Sequence, residues 1–128
     1  QKARTYIYTT AMPPSLAVAM TQSIELVRNA VDLRQSLYSL IVYYKDLMRE
    51  EKLYSSESSS HIQPYVVGSA NNTLALSNDL YKNKLLAAAI RPPTVPKNTS
   101  RLRLSFTAAH NKKQVLQLVQ AIKNNLNE

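Results

Sequence analysis

The chain has 128 residues, 45% of them apolar and 19% charged, which is enough for one modest packed domain and too few for two. It contains no cysteine, one glycine and two distant histidines, His61 and His110, so disulfides, thiolate chemistry, an HExxH zinc helix and both glycine-rich phosphate loops are excluded. The formal net charge of +8 is uneven, since residues 58–128 hold nine Lys/Arg against two Asp/Glu while residues 1–57 hold seven against six.

In chain order, Tyr6-Ile7-Tyr8-Thr9-Thr10 is aromatic and β-branched and predicts a short strand. Met12-Pro13-Pro14 then starts a helix, because proline suits the first turn, with Thr9, Thr10 or Ser15 as caps. Leu16, Met20, Ile24, Val27 and Val31 form one stripe, and Tyr38, Ile41, Tyr44 and Met48 resume it after a break at Arg34. One helix over 14–52 would span about 58 Å. Two helices jointed near Asn29–Asp32, with Asp32 as the new cap, fit the skipped stripe better.

Ser55–Ser60 predicts a polar loop, and His61–Val67 a strand in which Pro64 marks a sheet edge. Asn71 or Asn72 caps a short helix to about Lys82, with Leu76 and Leu80 inward. Leu85 to Ile90 is a continuous apolar run and predicts a buried strand. Arg91-Pro92-Pro93-Thr94-Val95-Pro96 is a stiff loop. Arg101–Phe106 alternates strictly, so Leu102, Leu104 and Phe106 face a core and the arginines face away. Thr107 or Asn111 opens a last helix whose stripe is Val115, Leu118, Val119, Ile122 and Leu126. The expected fold is α/β (α+β): a long N-terminal helical arm, residues 1–56, followed by a small β-α-β-β-α sandwich, residues 57–128.

No catalytic set assembles from spacing alone. Asp46, Glu50 and Glu51 read as a solvated helix end beside Arg49 and Lys52. His110, just ahead of a helix, reads as a capping or satisfied residue. No helix carries Lys/Arg along one face and no aromatic platform accompanies them, so nucleic acid is not an expected partner. No apolar run approaches the roughly 18 residues of a membrane span. Arg101 and Arg103 remain open between a solvent-facing ladder and an anion-binding wall, where a guanidinium on a strand offers a directed fork to a carboxylate.

Four stretches occur in order: Tyr8-Thr9-Thr10-Ala11-Met12-Pro13-Pro14, Ile62-Gln63-Pro64, Ala89-Ile90-Arg91-Pro92-Pro93-Thr94-Val95-Pro96 and Arg101-Leu102-Arg103-Leu104-Ser105-Phe106-Thr107-Ala108-Ala109-His110. Together they resemble the C-terminal third of the α-oxoamine synthase family of fold-type I pyridoxal-phosphate enzymes. The proline loop favours the biotin-pathway member over siblings such as glycine C-acetyltransferase. The resemblance implies a cytoplasmic, homodimeric acyltransferase. It would use pyridoxal 5'-phosphate to condense L-alanine with pimeloyl-CoA or pimeloyl-acyl carrier protein, with loss of CO2, giving 8-amino-7-oxononanoate. It further implies that Arg103 binds the amino-acid or product carboxylate. Thr94 would contact substrate, Arg91 would stand near the substrate entrance, and Thr10 would reach the cofactor phosphate across the dimer.

Family members often have serine where this chain has Ala11, and a glycine near Asn83-Lys84, where Asn83 is expected to take the left-handed cap. The Schiff-base lysine matches no position here, Lys2 included. Starting at Gln1 without an initiator Met, the chain is therefore expected to be a piece of a longer enzyme and inactive alone, with no catalytic residue of its own. A basic, non-catalytic interaction module is the alternative from a different class.

Overall fold

The computed structural model describes residue 7 and residues 9–53 and 56–126. Its elements are α1 (Pro14–Asn29), α2 (Val31–Glu50), β1 (Ile62–Gly68), α3 (Ala70–Lys82), β2 (Ala88–Ile90), β3 (Ser100–Ser105) and α4 (Lys112–Leu126). The strand expected at 6–10 lies partly outside the described residues, and Ile7, Thr9 and Thr10 are not in a strand.

One compact unit ends at Asp32 and a second begins at Leu33, whereas the sequence puts the boundary at 56/57. The difference has a packing cause: Leu40, Ile41, Tyr44 and Met48 of α2 belong to the same buried cluster as the sheet. In the first unit, α1 starts at Pro14 without any side-chain cap, so none of Thr9, Thr10 and Ser15 plays that part. None of its side chains is buried. The joint falls at Ala30, whose N–H donates to Val27 O (3.3 Å). Asp32 sits inside the first turn of α2 rather than capping it. Its carboxylate there still favours the positive end of the helix dipole.

In the second unit, three antiparallel strands run in the order β1-β3-β2. Pro64 therefore lies on an edge strand, as expected. Phe106 N–H donates to His61 O (2.9 Å), so alternate residues 61, 63 and 65 form the bonded pairs with β3. Pro64, opposite Arg103, falls at a non-bonded pair and its missing N–H leaves no gap in the ladder. Gly68 is the chain's lone glycine. It sits where the register slips beside Val66, at φ +93° with the Asn98 carbonyl close by, a conformation that side chains resist.

Leu102, Leu104 and Phe106 are buried on the inner sheet face with Tyr65, and Leu76, Leu80, Val115, Val119 and Ile122 of the helices close the core over them. Tyr44 meets Phe106 at 5.0 Å between ring centroids. At the rim, Lys123 pairs with Glu51 (2.6 Å) and the Lys112 ammonium sits over the Tyr43 ring. Asp79, 2.6 Å from Lys82, raises the pKa of that ammonium by a hydrogen bond and by its charge.

Three local expectations are corrected. Ser69, not Asn71 or Asn72, caps α3, accepting from Asn72 N–H at 3.4 Å. The left-handed residue after α3 is Lys84 (φ 62°), not Asn83 (φ −83°). The apolar run 85–90 is not one buried strand: Leu85 N–H closes α3 by donating to Leu80 O (2.9 Å), and Leu86 is 89% exposed. Only Ala88–Ile90 pairs with β3. At α4, Asn111 is the cap. It exchanges bonds with Gln114, Gln114 N–H to Asn111 Oδ1 (3.0 Å) and Asn111 N–H to Gln114 Oε1 (2.9 Å), a reciprocal capping box.

Burial raises the pKa of Tyr65, because the phenolate is disfavoured away from water. The unfolded chain therefore loses this proton first, so the folded state keeps its full advantage below the ordinary tyrosine pKa. That advantage drains away as pH rises through the folded value. Urea titrations across alkaline pH should show wild-type stability falling while Tyr65→Phe falls less steeply. Parallel curves would contradict the burial of this hydroxyl.

Candidate functional site

Strict alternation along β3 turns Arg101 and Arg103 to the outer face of the sheet. Beside them in register stand Ile62, Pro64, Val66, Ala88, Ile90 and Ser105. None of these is acidic, so nothing on this face neutralises the two guanidinium groups. Arg103 is exposed, flanked by Pro64 on one side and Ala88 on the other. Both neighbours are short, which leaves the fork open to solvent. Among the described residues it has no hydrogen-bond or ion-pair partner.

The second arginine does a different job. Arg101 Nε donates to Thr99 O (3.0 Å), and Thr99 Oγ1 donates to Pro96 O (2.8 Å). Arg101 thus ties the end of the proline loop to the central strand. Within that loop Thr94 N–H donates to Arg91 O (3.0 Å), closing a turn across Pro92–Pro93, whose peptide bond is cis. Arg91 and Thr94 are both exposed. Arg91, Thr94 and Arg103 therefore share one β2–β3 hairpin, with a loop braced at its β3 end. Restricted proline φ angles and this brace lower the ordering cost of any ligand contact made there.

Thr10 belongs to the first unit and is exposed ahead of α1. The first helical residue, Pro14, has no N–H. Ser15 N–H has no partner among the described residues, while Leu16 and Ala17 turn back to Pro13 O. A hydroxyl and an open amide at the start of a sixteen-residue helix make a reasonable anion contact.

Sequence reasoning missed the Arg101–Thr99 brace, because its acceptor is a backbone carbonyl. It also missed Gln63, which is 1% exposed and whose Nε2 donates to Ser58 O and Ser60 O. That amide fastens the serine loop to the start of β1. The Ile62-Gln63-Pro64 motif was the available signal. His110 is bonded at one ring nitrogen only: its Nδ1 accepts from Thr107 N–H at 3.0 Å. No described helix is long and apolar enough to cross a membrane.

The profile of the family described as "Aminotransferase class I and II" matches residues 1–122. The 8-amino-7-oxononanoate synthase of Dechloromonas aromatica is 42% identical over 123 residues, covering 96% of this chain and 32% of that protein. The enzyme of the same name from Pseudomonas entomophila is 43% identical over 122 residues, covering 95% and 31%. The chain thus spans about a third of the length of the curated relatives it matches. Among solved structures, 8-amino-7-oxononanoate synthase from Francisella tularensis superposes with a TM-score of 0.86 at 29% identity, covering 99% of this chain and 37% of that one. Serine palmitoyltransferase from Sphingomonas wittichii gives 0.83 at 26% identity, covering 97% and 32%.

Proposed function

Because the chain belongs to the aminotransferase class I and II family, we propose that it forms the carboxylate-binding wall of a pyridoxal-phosphate acyltransferase producing 8-amino-7-oxononanoate. In this reading L-alanine condenses with a pimeloyl thioester, on CoA or an acyl carrier protein, with loss of CO2. The setting is a cytoplasmic homodimer serving biotin synthesis. The observation that carries the reading is the open guanidinium of Arg103, held on a central strand with no acidic neighbour in register. The names of the relatives at 42–43% identity support the choice of reaction.

The roles follow from chemistry. Arg103 grips the amino-acid carboxylate with two parallel hydrogen bonds, fixing the substrate against rotation. Arg101 positions the proline loop, so that Thr94 meets substrate with little lost entropy. Arg91, at the start of that loop, adds positive potential at the entrance. The cofactor, when bound, supplies the electron sink that makes the alanine α-proton acidic. The residues here fit its phosphate end, through the Thr10 hydroxyl and the open Ser15 amide; Ala11 contributes no side-chain hydrogen bond. No lysine of this chain is assigned to its aldehyde end.

The test is substrate choice in the full-length enzyme that carries this chain. Pimeloyl-CoA with L-alanine should release CO2 and free CoA at least tenfold faster than with glycine or L-serine, the discrimination expected when a pocket is shaped around one methyl group. Preference for glycine would move the assignment to a sibling acyltransferase, and no turnover with any amino acid would remove it.

A further inference from the structure

The motif residue that the proposed reaction leaves unused is His110. It lines a cleft of about 430 Å³ on the second unit, within the roughly 300–1,000 Å³ that holds small organic ligands. The floor is apolar, built from Leu104, Phe106, Val115 and Leu118. Leu86 stands on its lip, 89% exposed and covered by nothing among the described residues.

Two polar side chains at the rim, His110 and Gln114, have had an acceptor consumed, while Gln117 and the Ser105 hydroxyl can donate or accept. Thr107 N–H points at His110 Nδ1 (3.0 Å), so in the neutral ring the proton sits on Nε2, which is left over as a donor. Gln114 Oε1 takes Asn111 N–H (2.9 Å), so the amide hydrogens on Gln114 Nε2 remain free. Lys84 adds an exposed ammonium. The backbone adds one more donor. Phe106 bonds toward β1, so Ser105 N–H points to the opposite edge, where pairing with β2 has already ended at Ala88–Arg103. No residue lining the cleft is acidic.

A rim of donors over an apolar floor matches one chemistry. We propose that this cleft binds an aliphatic carboxylate, with its headgroup among Lys84, His110, Gln114 and the Ser105 amide, and its chain on Leu104, Phe106 and Leu86. Apart from Ser105, the residues lining the site are not those of the outer sheet face, and the site does not depend on the proposed reaction. An alcohol of equal length would leave the ammonium without a counter-charge. An amine would be repelled.

The test is titration of the 128-residue chain with sodium octanoate, followed by calorimetry and by ¹H–¹⁵N spectra. Saturable shifts should appear at the Ser105 amide and the Gln114 side-chain amide. Octanoate should bind at least tenfold tighter than acetate, since each buried methylene adds roughly fourfold. It should also bind at least tenfold tighter than 1-octanol, the value of one charge-assisted hydrogen bond. Lys84→Asn keeps a residue that tolerates the left-handed backbone and should weaken octanoate roughly tenfold. Leu86→Glu alters a side chain with nothing to unpack, and should abolish binding while leaving thermal unfolding unchanged. Equal binding of 1-octanol, retained affinity in both variants, or shifts confined to other residues would overturn the proposal.

Discussion

Replacing Arg103 by alanine in the full-length enzyme should raise KM for L-alanine roughly 10- to 100-fold, the range for losing charge-assisted hydrogen bonds to a carboxylate. Three features of the strand lead to this expectation. Alternation directs the side chain to the outer face, because Leu102 and Leu104 on either side are buried. Pro64 and Ala88 beside it are too short to cover it. No acidic residue in register competes for the fork. In the proposed role the fork would hold the substrate before and during reaction, so KM should move more than kcat. Arg103→Lys should fall between, since an ammonium keeps the charge but cannot offer the parallel pair of bonds. Unchanged kinetics in Arg103→Ala would reduce this residue to a solvent-facing member of an arginine ladder.

The largest loss of stability is expected at Leu102, which is 0% exposed on the central strand. Its inner-face neighbours in register are Tyr65 on β1 and Ala89 on β2. Leucine to alanine at such a site removes the transfer energy of the lost carbons and leaves a cavity, together about 3–4 kcal/mol. Against a total stability of about 5–15 kcal/mol, that is a large fraction, and the urea midpoint should drop accordingly. Leu86→Ala, the same chemical change at a side chain 89% exposed, should alter stability by less than about 0.5 kcal/mol. Comparable midpoints for the two variants would mean that the sheet packs by its other face.

These two leucines also mark where the sequence speaks and where it does not. Leu102 sits in a strict alternation, and period two has one structural reading, a strand with one face inward. The same holds for the stripe of α4 and for Asn111, whose partner Gln114 stands three residues on. Leu86 sits in an unbroken apolar run, which carries no period. Composition could not reveal that Leu85 is spent closing α3 while Leu86 turns outward and only Ala88–Ile90 pairs. The cap of α3 was misplaced by two or three residues because serine and asparagine compete equally for the role. The boundary at Asp32–Leu33 was illegible for another reason. A helix stripe announces that a face is apolar, but not which body it packs on, and α1 and α2 share a stripe while differing in burial.

By itself the sequence determined the element order from Pro14 onward, the inward and outward faces of β3, and the four-stretch resemblance behind the proposed carboxylate role of Arg103. All of these are local patterns, written in neighbouring residues. Only the tertiary structure decided that Arg101 braces the proline loop while Arg103 stays free, that Gln63 anchors the serine loop from within, and that His110 and Gln114 turn spare donors toward an apolar cleft. Each of these bonds spans only two to five residues, so spacing permits it; which of several acceptors within reach a side chain takes is decided by the backbone path and burial of the folded chain.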